Sequence, residues 1–107
     1  RHFLLPLVVL LLLQPGARAA DFLSEMVPVA DRSEGELVKA AQQALASVMV
    51  RVSGDERIVE VPSVADAIAD ARNRMSLYTY EVDGSETSLY VQFDDRVIKN
   101  LVREAGA

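Results

Sequence analysis

Between Ser33 and Gly54 the chain carries both ends of a helix and the apolar stripe that joins them, and this segment constrains the fold more than any other. Ser33-Glu34-Gly35-Glu36 matches the S-x-x-E capping box, in which the serine oxygen accepts a backbone N–H three residues on and the glutamate reaches back. Glu34 and Glu36 then sit in the first turn, where the helix dipole favours negative charge. Leu37, Ala41, Leu45, Val48 and Val52 recur in steps of three or four, with Val38 and Met49 widening the face. Lys39, Gln43, Ser47 and Arg51 fall on the other side, and Gly54 stands where a left-handed C-cap is easiest. The polar cluster from Asp31 to Glu36 is therefore the start of a helix, and Lys39 lies on the wrong face to activate Ser33. Val50 is the misfit, an apolar residue on the polar side, and is a candidate partner surface.

A helix with one apolar stripe needs a sheet or further helices to cover it, and the flanking sequence offers both. The segment DFLSEMVPVA alternates as a strand, with Pro28 marking an edge position or the strand's last turn because it cannot donate to a ladder. Pro62 opens a short helix with Val64, Ala67, Ile68 and Ala71 on one face. Met75 to Val82 and Thr87 to Asp94 form a hairpin. Tyr78, Tyr80 and Val82 share the face assigned to the core, and Tyr90 points to the other. A four-residue loop, Asp83 to Glu86, sets Tyr80 opposite Leu89 and Glu81 opposite Ser88. A two-residue Asp83-Gly84 turn would instead set Glu81 against Glu86. Asp94 or Asp95 caps a last helix carrying Val97, Ile98, Leu101, Val102 and Ala105. The order strand-helix-helix-strand-strand-helix predicts an α+β domain, a small antiparallel or mixed sheet with helices packed on one face.

Ahead of this domain lies a basic start, an apolar run from Phe3 to Leu13, a break at Gln14-Pro15-Gly16 and then Ala17-Arg18-Ala19. That is the layout of a secretory signal peptide, too short to span a bilayer. Residues 1–19 read as a cleavable signal, and residues 20–107 as a single domain exported to the periplasm. The membrane is then met only through the signal segment during export. With no methionine before Arg1, the chain reads as a fragment, at least at its start.

The 20–107 segment carries nine Lys and Arg against 16 Asp and Glu, a net charge of −7. Such a surface repels phosphate backbones and disfavours nucleic acid as a partner. The chain has no cysteine, and its one histidine, His2, lies in the signal. Imidazole acid/base catalysis, thiol nucleophiles and the usual zinc sites are therefore unavailable to the domain. Neither a catalytic motif nor a cofactor-binding motif is present, so the expectation is no cofactor and a non-catalytic binding or envelope-assembly module. The alternative is a carboxylate- and metal-dependent enzyme domain using Asp94/Asp95 or Asp66/Asp70. Each pair has a plainer reading, Asp94/Asp95 as a cap with a dipole partner and Asp66/Asp70 as a solvated helix face. Tyr90, an aromatic on an outer sheet face, is the remaining candidate for a partner surface.

The segments VPVADRSEGELVKAAQQALASVMVRVSGD and SLYVQFDDRVIKNLVREAG, behind a signal, resemble the start of the proteobacterial family DUF2066, a domain of unknown function. The RVSG and FD blocks carry the likeness. It implies that residues 20–107 are the N-terminal piece of a much longer exported protein, with no catalytic residues to transfer. Its partners would be an envelope protein or the chain's own C-terminal region.

Overall fold

The computed structural model describes residues 23–106. The segment read as a signal peptide, residues 1–19, and the start expected after it lie outside the described residues. The elements are β1 (Ser24–Val29), α1 (Glu34–Ser53), a 3-10 turn at Glu56–Glu60, α2 (Pro62–Ala69), a second 3-10 turn at Ala71–Asn73, β2 (Met75–Asp83), β3 (Glu86–Phe93) and α3 (Asp95–Glu104). The three strands form an antiparallel sheet in the order β1-β3-β2. The helices pack against it, as the α+β reading expects.

The ends of α1 follow from its sequence, with one change of partner. Ser33 Oγ accepts from the Glu36 backbone N–H at 3.3 Å. Glu36 does not return to Ser33; its Oε1 accepts instead from the Ala30 N–H at 2.9 Å. The Ser33 N–H is already engaged by Asp31 Oδ1 at 2.8 Å. The acidic cluster thus ties the β1–α1 connection to the helix start rather than closing a reciprocal box. Gly54 ends the helix with φ 74°, its N–H donating to Val50 O at 2.8 Å.

The core lies between α1 and the first two strands of the sheet. Leu37, Ala40, Ala41, Ala44, Leu45, Val48 and Met49 bury one face of α1 against Val27 of β1 and Leu89, Val91 and Phe93 of β3. Alanines at the contact let the helix backbone approach the sheet closely. Val64 and Ala67 of α2, Ala71, Ile58 and α3's Ile98 and Leu101 complete the cluster. Ile58 belongs to the 3-10 turn after Gly54, capped by Asp55 through the Arg57 N–H at 2.9 Å. Val52, placed on the apolar stripe, is only partly buried.

In the hairpin, Tyr80 faces Leu89 and Glu81 faces Ser88, as expected, but pairing continues through Asp83 and Glu86. The loop is therefore only Gly84-Ser85. Gly84 has φ 65° and Ser85 a negative φ, which is the type II′ pattern of glycine at the first central position. The register survives the shorter loop because both loops share one centre, between Gly84 and Ser85, so the same residues stay opposite one another.

Candidate functional site

The two edges of the sheet differ in how they are closed. The Phe93 N–H donates to Leu23 O at 3.1 Å, so the odd-numbered residues of β3 direct their backbone groups to β1. By alternation the even-numbered residues of β3 bond β2, at Leu77, Thr79, Glu81 and Asp83. The backbone groups of Tyr78, Tyr80 and Val82 therefore point away from the sheet, along the side of β2 that has no neighbouring strand among the described residues. On β1 the outward residues are Ser24, Met26 and Pro28. Pro28 has no N–H to offer, and the Ser24 carbonyl accepts from Arg51 Nη1 at 3.0 Å, with Arg51 also paired to Glu25. Proline and a capping charge are standard ways of blocking a strand edge. β2 carries neither over Leu77–Val82, its one irregularity being a bulge between Met75 and Leu77, where Ser76 Oγ donates to Gln92 O at 2.9 Å.

β2 is also where apolar surface remains in water. Leu77 is 51 % exposed, Tyr78 39 % and Val82 60 %; of the large apolar side chains exposed among the described residues, only Met26 lies elsewhere. This corrects the expectation that Tyr78, Tyr80 and Val82 all enter the core. They occupy the helix-facing side of the sheet, opposite Val91, Leu89 and Thr87, but the main helix packs over β1 and β3, which leaves β2 overhanging.

Two arginines cover what the helix does not. The Arg32 guanidinium carbon sits 4.9 Å from the Tyr80 ring centroid and that of Arg72 5.5 Å from the Tyr78 centroid. The two tyrosines meet edge to face at 6.3 Å and 89°. Arg72 Nε also donates to Glu34 Oε2 at 3.1 Å, whereas Arg32 has no carboxylate partner among the described residues. Among the described residues the overhang is thus a strand with no neighbour on its outer side, an aromatic pair on one face and cations above it.

Tyr90 and Val50 do not form one surface. Tyr90 lies half-buried in the middle of the outer sheet face, between Met26 and Thr79. Val50 is half-buried on α1, packed against the core and lining a shallow depression with Ala46, Ser47 and Arg51. The carboxylate pairs are engaged locally. Asp94 Oδ1 accepts from the Arg96 N–H at 2.9 Å as the N-cap of α3, and Asp95 pairs with Lys99 at 3.0 Å. Asp70 accepts from Asn73 at 2.7 Å and faces Arg74 at 3.6 Å, while Asp66 is exposed. Among the described residues no three acidic side chains converge as a metal site would require.

The carboxyls with displaced proton affinity are those that hold turns. Asp31 is lowered by hydrogen bonds from the Ser33 hydroxyl and backbone N–H, and Glu36 by the Ala30 N–H and then Lys39. Asp55 is lowered by the Arg57 backbone N–H and side chain. These are structural displacements at element junctions rather than a tuned acid/base pair.

Residues 17–107 match the family model described as Domain of unknown function (DUF8605). The chain belongs to this family. DUF8605 replaces the DUF2066 assignment suggested by the RVSG and FD blocks. Those blocks prove to be the C-terminal end of α1 with its cap Gly54, and the end of β3 with the α3 cap Asp94. Such features are required wherever a helix stops at a left-handed residue or starts after a strand, so they do not separate one family from another. No curated protein and no solved structure matches the chain.

Proposed function

We propose that this DUF8605 domain is a non-catalytic, periplasmic binding module that accepts an extended segment of another polypeptide along the free side of β2. The observation that carries the reading is the contrast between the two edges among the described residues, β1 blocked at Pro28 and at Ser24 by Arg51, β2 without either device and with Leu77, Tyr78 and Val82 exposed. Strand addition supplies what this arrangement lacks, backbone partners for Tyr78, Tyr80 and Val82 and cover for the apolar side chains. The export half of the reading rests on the signal-like layout of residues 1–19. The absence of histidine and cysteine after position 2, and the local engagement of the aspartate pairs, support a binding role over a chemical one.

The test is a titration of the purified protein with the acetylated, amidated heptapeptide TVTSTVT, followed by backbone amide shifts. Shifts centred on Leu77–Val82 are expected. Shifts confined to the helices, or none at millimolar peptide, would contradict strand acceptance.

A further inference from the structure

We infer that the segment accepted by β2 is an acidic one, carrying a carboxylate at the position opposite Tyr80, where Arg32 receives it. The inference rests on the strand-accepting reading and adds the chemistry of the partner. An added strand lies about 4.8 Å beyond β2, and a residue directly opposite Tyr80 shares its face, with Cβ atoms about 5 Å apart. That face is the one Arg32 overhangs, its guanidinium 4.9 Å from the Tyr80 ring. A Glu or Asp side chain there lies within reach of a guanidinium that has no carboxylate among the described residues. Arg72, over Tyr78, already holds Glu34. The charge requirement is therefore local to one position of the incoming strand, and the neighbouring positions on that face meet the apolar Tyr78 and Val82.

A second copy of this chain fits less well. The residues β2 would itself present on that face are Tyr78, Tyr80 and Val82, which bring no carboxylate to Arg32, and a two-fold centred on Tyr80 would bring two Arg32 side chains together. The overall negative charge of the domain does not oppose an acidic strand at this point. Glu81 and Asp83 project from the opposite face of the sheet, and more distant exposed charges are screened beyond about 10 Å at 0.1 M salt.

The experiment compares TVTETVT, TVTKTVT and TVTSTVT on the purified protein and on its Arg32→Gln variant, each followed by β2 amide shifts. These peptides read the same in both directions, so the central residue can face Tyr80 whichever way the strand runs. TVTETVT is expected to bind about fivefold more tightly than TVTKTVT, the size of one exposed ion pair. The preference should disappear in Arg32→Gln and persist in Arg32→Lys. Raising the salt concentration should erode it in the unaltered protein, a readout that needs no variant. Equal binding of all three peptides at β2 would overturn the acidic-partner inference and leave strand acceptance standing. Failure of every peptide to shift β2 would overturn both. Concentration-dependent β2 shifts without peptide would make a second copy the occupant and overturn the inference as well.

Discussion

Replacing glycine by alanine at the two ends of α1 should change stability in opposite directions. Gly54 holds φ 74° as the C-cap, and a Cβ added there meets nothing within 4 Å. The cost of Gly54→Ala is therefore conformational alone, about 1–2 kcal/mol for a left-handed alanine. Gly35 sits in the first turn of the same helix with an ordinary negative φ, and its added Cβ is equally free of contacts. Gly35→Ala removes backbone freedom from the unfolded chain and should stabilise by about 0.4–1 kcal/mol. For a domain of this size each kcal/mol moves the melting temperature by roughly 4–8 °C, so the two variants should separate clearly on either side of the parent. Urea denaturation followed by circular dichroism gives the comparison, provided the slope with denaturant stays constant. Shifts of the same sign, or a neutral Gly54→Ala, would refute the assignment of Gly54 as a left-handed cap.

Leu45 is fully buried on the core-facing side of α1, and Leu45→Ala should cost about 2–5 kcal/mol in the same denaturation assay. Proline scanning of β2 should distinguish outward from inward amides. Val82→Pro removes no ladder bond, whereas Glu81→Pro breaks one to β3 and should cost about 1 kcal/mol more. Glu36 and Asp31 bind protons less readily folded than unfolded. Their stabilisation is complete above the ordinary carboxylate range and is lost as pH falls through their lowered folded values. Acid titration of stability should therefore be shallower in Glu36→Gln than in the parent, and an unchanged profile would contradict the role given to the Ala30 contact.

What the sequence makes legible is what local chemistry decides. The stripe from Leu37 to Met49, the caps Ser33, Gly54 and Asp94, and the Tyr80–Leu89 register each follow from spacing over a few residues. The edge position of Pro28 follows from its missing donor. The exposure of Tyr78 and Val82 does not follow in this way. It depends on the order β1-β3-β2 and on how far α1 reaches across the sheet, both set by contacts between segments remote in sequence. The same alternation that reads as a core face therefore becomes an overhang. Arg32 over Tyr80 joins residues 48 positions apart, and no period in the sequence brings them together. The turn at Glu56–Glu60 is too short to show a helical stripe, although Asp55 ahead of Arg57 is a cap signal that would have found it. The DUF2066 likeness fails for the complementary reason, because its blocks are the parts any such helix shares.

The central claim is that β2 ends the sheet with its outward backbone groups unpaired, and amide hydrogen exchange of the native protein tests it most directly. The account predicts an alternating pattern, with the Tyr78, Tyr80 and Val82 amides exchanging fast and those of Thr79 and Glu81 slow. Uniform protection along Leu77–Val82 would mean that the edge is already occupied, and would contradict it.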